Sequence, residues 1–228
     1  MTTKKSLRHW QARPFLPHTD MHGDYCTLTP LSATKHGGAL WDAFAEDKRG
    51  KDWRYLPYGP FADKRAFMRW LRAMTGGKDP QFYAILDNDG AATGMASYLN
   101  IVPAHGVVEV GHIHYAPKMQ RTAAATETMH LMMHRAFAEC GYRRYEWKCD
   151  SQNKRSCAAA LRLGFHPEGI FRQHQVNKNR NRDSAYFSIT DKEWRHINAA
   201  MKKWLATLKN GKQTTPLNAA PIIPVGLY

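Results

Sequence analysis

The sequence predicts a mixed α/β fold in which a central mixed sheet carries helices on both faces. The order of the local patterns supports this, because it runs strand, two helices, three strands, helix, strand, helix and two strands. A strand–loop–helix–strand unit over residues 107–149 supports it further, since its loop at 116–123 follows the carboxyl end of a strand, where ligands bind in open α/β sheets. Of the 228 residues, 43% are hydrophobic, which is enough for one core.

Cap and turn residues bound the elements predicted in the first part of the chain. A short strand over residues 25–29 precedes a helix that Ser32 caps and that runs through Phe44. A second helix begins after Asp63, places apolar residues at the 3.6-residue period as far as Met74, and is stopped by two glycines.

Strands and helices alternate in the rest of the chain. Strands at 81–86 and 93–99 flank the polar, Gly-ending residues 87–90, which are a strong hairpin signal. The elements predicted after them are a strand at 107–115, a helix at 124–140, a strand at 144–149, a short helix at 156–163, an extended segment that starts at 164–165, a strand at 185–189 and a helix at 191–208.

Three segments are expected along the chain. Residues 1–24 have no hydrophobic period and are interpreted as an N-terminal arm, and residues 25–190 form the domain. Residues 191–228 add a helix and a Pro-containing tail that packs on the domain or on a neighbour, and a homodimer is left open.

Composition limits the partners and the compartment. The net charge of +14 favours an anionic partner, but nucleic acid, an acidic protein and a phosphorylated cofactor all fit. No apolar run approaches the about 18 residues of a membrane helix, and the basic start lacks a secretory apolar stretch, so no membrane partner is expected. The four cysteines form no C-x-x-C pair, which favours a reducing, cytoplasmic compartment without disulfides.

The strongest functional signal begins at Ile113 and ends at Ala125. A strand ends there, Pro117 breaks its ladder, and small residues allow a ligand to approach the start of a helix. Free amides at a helix N-terminus bind anions, and Lys118 and Arg121 add positive charge for a phosphate. An ordinary strand-to-helix turn would explain the same residues.

This segment resembles the phosphate-binding loop of the GNAT superfamily of acetyltransferases, in which Q/R-x-x-G-x-G/A follows a strand and a Pro. Gln120, Ala123 and Ala125 stand at the three defining positions, although Gly is usual at the second. An alanine would be strained there if the position required a positive φ. The resemblance implies a GNAT-like, mostly antiparallel sheet and acetyl-CoA as co-substrate. It implies that the cofactor contacts are the backbone of Ile113 and Tyr115 and the loop residues Gln120, Arg121, Thr122, Ala123, Ala124 and Ala125.

A second segment, from Asn153 to Phe165, matches the pattern N-x-x-S-x-x-x-x-x-x-x-G-F. It resembles the Rim-type branch of the superfamily, which contains the ribosomal-protein N-terminal acetyltransferases. The resemblance implies that Asn153 bonds the pantetheine arm of the cofactor and that Ser156 lies near its sulfur. A capped helix ended by Gly164 is the structural alternative.

Direct acetyl transfer in a ternary complex needs a neutral amine and a proton for the departing thiolate. By resemblance to the E-I-G-Y-like strand of the Rim-type branch, Glu109 is predicted to be the base or the water-positioning group. His112 and His114 are competing candidates for this role. In an unbulged strand, side chains alternate, so both histidines would lie on the face opposite Glu109, and a β-bulge would change this alternation. Ala160 stands where many family members have a Tyr acid, so Ser156 is predicted to supply the proton.

The acceptor site is implied by the family alone. There the first two helices and their loop wall the acceptor, which implies Trp53, Tyr55 and Tyr58 as substrate-binding residues unless this aromatic loop simply packs. The expected acceptor is a primary amine, either a protein N-terminus or a small molecule, and not nucleic acid. No metal is expected, because His112-x-His114 is followed by no carboxylate or thiolate cluster.

Two alternatives remain open. A basic RNA- or ribosome-binding protein without catalysis would use the net charge and the basic residues 177–182, which are otherwise interpreted as a solvated loop between strands. A catalytically inactive, CoA-binding protein of the same fold would explain Ala123 and Ala160.

Overall fold

The structure is a computed structural model that describes residues 7–207 and residue 217. The strands are β1 Met21–His22, β2 Thr27–Pro30, β3 Gln81–Leu86, β4 Ala92–Val102, β5 Val107–Tyr115, β6 Arg144–Asp150, β7 His166–Asn177 and β8 Arg180–Thr190. The α-helices are α1 Ala33–Phe44, α2 Lys64–Met74, α3 Ala123–His134, α4 Lys154–Arg162 and α5 Asp191–Thr207.

One eight-stranded sheet contains all of these strands, in the order β1-β2-β3-β4-β5-β6-β8-β7. Neighbouring strands pair antiparallel except β5 and β6, which are parallel. The predicted mixed, mostly antiparallel sheet is therefore confirmed.

Both faces of the sheet are buried under helices. Along β3, Phe82 and Ala84 pack with α1 and α2, whereas Tyr83 and Ile85 pack with α3 and α5. This alternation confirms the prediction of helices on both faces.

Side-chain caps fix the first two helices where the sequence predicts them. The Ser32 hydroxyl accepts a hydrogen bond from the Lys35 amide, and the Asp63 carboxylate accepts one of 2.7 Å from the Ala66 amide. The helix predicted at 124–140 differs, because its last turn is π-helical from Arg135 to Glu139.

The last two strands are longer than predicted. Residues 177–182, interpreted as a solvated loop between strands, are largely exposed, but only Lys178 and Asn179 lie between β7 and β8, where they form a hairpin turn with φ of 50° and 60°. β7 is an edge strand and is largely exposed, so it has no buried face to impose an alternating pattern on the sequence.

The segment before residue 25 is not a free arm where the structure describes it. Leu16 and Met21 are 2% and 4% exposed within the core, and the buried Arg135 donates to the carbonyls of Pro17 and Asp20. At the other end, Leu217 is buried in the same core, while the predicted tail at 208–216 and 218–228 lies outside the described residues.

None of the helices within residues 7–207 combines the length and hydropathy needed to cross a bilayer.

Candidate functional site

The only parallel pairing in the described sheet stops before its two strands end. β5 and β6 pair as far as Val110 and Trp147, although β5 continues to Tyr115 and β6 to Asp150. The strands therefore diverge, and the edge of β5 over residues 111–115 faces a gap that β6 does not fill. A gap at the carboxyl ends of parallel strands is where α/β sheets bind ligands.

A β-bulge lies in β5 beside this gap. His112 has a φ of 52°, and the register between β4 and β5 shifts between Met95 and Ser97. The parity expected for an unbulged strand therefore does not apply here. His112 packs on Phe82 and His114 on Phe44, both on the α1–α2 side of the sheet.

Glu109 faces the same side as the two histidines. Its neighbours Val108 and Val110 belong to the opposite core, so strand alternation directs Glu109 toward the α1–α2 side. The bulge thus brings Glu109, His112 and His114 to one face of the sheet.

His114 is buried and His112 is half-buried, and burial keeps both imidazoles neutral at pH 7. Burial lowers the pKa of His112 to about 4, and its Nδ1 shares a hydrogen bond of 3.1 Å with the Tyr58 hydroxyl. Burial also lowers the pKa of His114 to about 4, although Asp52 and Asp47 act in the opposite direction. His114 lies edge-on to Phe44, and within the described part of the chain its Nδ1 has no hydrogen-bond partner.

The Glu109 carboxylate is buried beside a lysine. One oxygen, Oε2, accepts hydrogen bonds of 2.7 Å from Asn100 Nδ2 and 2.8 Å from Lys148 Nζ. Lys148 lies 2.9 Å from Glu146 as well. Burial opposes the charge on Lys148, but these two carboxylates outweigh it and raise the pKa of the amine.

The start of α4 lies beside the end of the parallel pairing. Asn153 Oδ1 accepts a hydrogen bond from the Ser156 amide, and the Ser156 hydroxyl accepts one of 3.0 Å from Trp147 Nε1. Gly164 follows the helix with a φ of 95°. The capped-helix interpretation is therefore confirmed, while the cofactor contacts of Asn153 and Ser156 stay predictions.

The loop before α3 is built without strain at Ala123. Thr122 caps the helix, accepting a hydrogen bond from the Ala125 amide and donating one of 2.7 Å to Met119 O. Ala123 is the first helical residue, and the positive φ falls on Arg121 at 63°. The strain considered for an alanine at this position is therefore absent.

Three side chains form a ring of hydrogen bonds at this loop. Gln120 Nε2 donates to Tyr115 O at 3.0 Å and to Asp52 Oδ2 at 2.7 Å. Arg155 donates to Asp52 Oδ1 at 2.9 Å and to Gln120 Oε1. The sequence did not predict Asp52 as a site residue, because its partner Arg155 is 103 positions away and no local pattern joins them.

The three aromatic residues proposed for the acceptor have different environments. Trp53 is 5% exposed and packs between Phe44 and Phe61, which agrees with the alternative that this aromatic loop only packs against the core. Tyr55 and Tyr58 are half-buried; the Tyr55 hydroxyl donates to Gln152 O at 3.2 Å.

The tip of the β7–β8 hairpin contacts this aromatic loop. Lys178 Nζ donates to Trp53 O at 2.7 Å, and Asn177 Nδ2 donates to Tyr55 O at 3.3 Å. These bonds place Asn177 and Lys178 against the backbone of the aromatic loop at Trp53 and Tyr55. Within residues 7–207 and 217, no three His, Cys, Asp or Glu side chains are grouped as a metal site would require.

A comparison with protein-family models identifies the family of this chain. A model of the acetyltransferase (GNAT) domain matches residues 26–166. The chain belongs to the GNAT acetyltransferase family. Members of this family use acetyl-CoA, so membership implies acetyl transfer from acetyl-CoA to an acceptor and does not favour the RNA-binding alternative.

Solved structures agree with the assignment to GNAT. A GCN5-related N-acetyltransferase from Brucella melitensis is 40% identical, with a TM-score of 0.90 over 92% of this chain and 97% of that one. A protein from Chromobacterium violaceum, assigned provisionally to GNAT acetyltransferases, is 41% identical, with a TM-score of 0.79 over 86% of this chain and 98% of that one.

More distant structures share the GNAT fold alone. A Vibrio cholerae protein, described provisionally as a ribosomal-protein-serine acetyltransferase, is 15% identical, with a TM-score of 0.65 over 76% of this chain and 98% of that one. The microcin C7 self-immunity acetyltransferase MccE, solved with acetyl-CoA and AMP, is 17% identical, with a TM-score of 0.65 over 74% of this chain and 93% of that one. No curated protein matches the sequence.

Proposed function

We propose that this chain transfers the acetyl group of acetyl-CoA to a primary amine, by direct attack of the amine in a ternary complex. The observation that carries the proposal is the end of the β5–β6 pairing at Val110 and Trp147. The gap beyond it lies between the starts of α3 and α4, the two helix starts that carry the family motifs.

The residues around the gap fit the cofactor. Ala123, Ala124 and Ala125 have small side chains at the start of a 12-residue helix, so a pyrophosphate can approach the amides of Ala123 and Ala124, while the Ala125 amide donates to the Thr122 cap. The free edge of β5 offers the backbone of Ile113 and Tyr115 to the acetyl and pantetheine portions. The thioester supplies an activated acetyl group, and the chain's own residues orient it and move protons.

Glu109 is the proposed proton acceptor, acting on the amine through water. Its carboxylate lies on the α1–α2 side of the sheet, which in this family is the acceptor side. His112 and His114 are weaker candidates, because burial lowers the pKa of each to about 4 and so reduces its basicity.

Ser156 is the proposed proton donor to the departing thiolate. Its hydroxyl accepts a hydrogen bond from Trp147 Nε1 and also bonds the Cys149 thiol, so its proton would turn from Cys149 to the thiolate when the cofactor is bound. Ala160 is fully buried and carries no hydroxyl, so it contributes no acid.

A protein N-terminus is the proposed acceptor. The support is the resemblance of the Asn153–Phe165 segment to the Rim-type branch and the fold shared with the Vibrio cholerae protein. Tyr55, beside the hairpin tip, and Tyr58, beside His112, are the proposed wall of the acceptor site.

Release of free thiol from acetyl-CoA tests the proposal. Purified chain is incubated with acetyl-CoA and a panel of peptides with free N-termini, small amines, and the same peptides with blocked N-termini. We expect thiol release with free peptide N-termini only, and intersecting double-reciprocal plots, since both substrates bind before chemistry. Parallel plots would contradict direct attack, and release with small amines alone would contradict the peptide acceptor.

A further inference from the structure

The ring formed by Asp52, Gln120 and Arg155 joins three separate segments around the gap. Asp52 belongs to the short helix Lys51–Trp53 of the aromatic loop, Gln120 precedes α3, and Arg155 is in the first turn of α4. The ring therefore connects the loop proposed for the acceptor with both sides of the proposed cofactor site.

The two side chains of the ion pair, Asp52 and Arg155, differ in their exposure to solvent. The Asp52 side chain is 17% exposed, and the Asp52 amide donates a hydrogen bond of 2.7 Å to Asp47 Oδ2. The Arg155 side chain is 67% exposed. Arg155 is consequently the partner that can turn to another anion without disturbing the core.

Arg155 already reaches the loop where the pyrophosphate is proposed to lie. One of its nitrogens bonds Gln120 Oε1, and Gln120 is the first residue of that loop. A guanidinium binds phosphate oxygens in the same two-pronged geometry that it uses for a carboxylate. Asp52 and a bound pyrophosphate would therefore compete for one cation.

We propose that Arg155 is a further cofactor-binding residue, and that Asp52 holds it in the empty protein and yields it to the pyrophosphate of acetyl-CoA. The proposal rests on the proposed function of the gap. It makes Asp52 a residue that limits cofactor affinity, although Asp52 touches the loop that would bind the cofactor.

Substitutions at the two ends of the ion pair have opposite expected effects. Asp52→Asn keeps an oxygen for the Gln120 amide but loses the charge that competes for Arg155, so acetyl-CoA should bind about threefold more tightly. Arg155→Met removes the cation, so acetyl-CoA should bind about tenfold more weakly. An ion pair that only supports the fold would weaken binding in both variants.

Titration calorimetry with acetyl-CoA and with acetyl-pantetheine separates the outcomes. Acetyl-pantetheine lacks the pyrophosphate, so neither substitution should change its affinity. Asp42→Asn is the matched control, since Asp42 pairs with Lys64 at 3.7 Å on the exposed surface of α1 and α2, away from the gap. We expect no change in that variant.

Three results would decide between the possibilities. Tighter binding in Asp52→Asn and weaker binding in Arg155→Met, for acetyl-CoA alone, would support the competition. Weaker binding in both variants, or an unchanged affinity in Arg155→Met, would overturn it while leaving the cofactor site in place. Failure of the unsubstituted chain to bind acetyl-CoA would instead remove the proposed function and this inference with it.

Discussion

Lys148 Nζ lies 2.8 Å from Glu109 Oε2, and this ion pair lies on the α1–α2 side of the two strands that separate beyond Val110 and Trp147. The carboxylate is only 6% exposed, so removing it from water is unfavourable unless a cation compensates. Lys148 supplies that cation and is itself shared with Glu146. The arrangement leaves Glu109 Oε1 as the oxygen that a water molecule between carboxylate and amine could reach.

Glu109→Gln should lower the turnover of acetyl transfer by about a hundredfold or more, because the amide cannot accept the proton. Acetyl-CoA affinity should stay within about twofold, since Glu109 is not proposed to touch the cofactor. The comparison variant is His112→Asn. Loss of turnover in His112→Asn with little change in Glu109→Gln would identify the histidine as the base instead.

Ser156→Ala should lower turnover at saturating acetyl-CoA, because the proposed proton donor to the thiolate is absent. General acid catalysis contributes about a hundredfold or more, so the loss should be large compared with any effect on binding. Ser151→Ala, in the loop before α4, serves as the control. Unchanged turnover in Ser156→Ala would rule out this role for the hydroxyl.

Glu127→Gln should reduce the free energy of unfolding by about 2 kcal/mol. The Glu127 carboxylate is 5% exposed and accepts hydrogen bonds of 2.7–2.9 Å from the amides of Asp24, Tyr25 and Cys26. An amide in its place turns one acceptor oxygen into an NH₂ group that faces those donors.

Urea denaturation of Glu127→Gln and Glu139→Gln measures this difference. Glu139 has a 45% exposed side chain, and its partner, the buried Arg135, also donates to the carbonyls of Pro17 and Asp20, so the loss of Glu139 should cost less than about 1 kcal/mol. Equal effects in the two variants would show that the buried carboxylate contributes no more than a half-exposed one.

The stability of the fold should decrease as the pH falls from about 6.5 toward 4. In the unfolded chain His112 and His114 take up protons near pH 6.5, whereas burial in the folded chain lowers the pKa of each to about 4. Protons therefore bind preferentially to the unfolded state across this interval, and stability is fully present only above it.

Urea denaturation at several pH values measures the slope in the native chain and in His114→Phe, which cannot be protonated. We expect the variant to have a shallower dependence on pH, whatever its absolute stability. An identical slope in both proteins would show that His114 does not contribute.

Local sequence patterns predicted most of the fold. The bounds of β3 and β5, the Ser32 and Asp63 caps and the helices on both faces follow from periodicity and caps that act within a few residues. The length of β7 was not predictable in this way, because an exposed edge strand carries no alternating pattern.

The site was predictable only where a motif is contiguous. The loop before α3 and the start of α4 could be located because their residues are close in sequence. Asp52 could not, since its role depends on contacts with Gln120 and Arg155 that only the folded chain creates. The common face of Glu109 and His112 depends on a bulge whose position no local residue pattern fixes.

Calorimetric titration with acetyl-CoA tests the central claim most directly, using the native chain, Ala123→Asp and the control Ala39→Asp. Ala123 opens α3 at the proposed pyrophosphate site, whereas Ala39 is an exposed residue of α1. An aspartate at the start of α3 would repel the phosphates and occupy the amides that bind them. The account predicts micromolar binding by the native chain and Ala39→Asp, and its loss in Ala123→Asp. No binding by the native chain, or equal binding in Ala123→Asp, would contradict it.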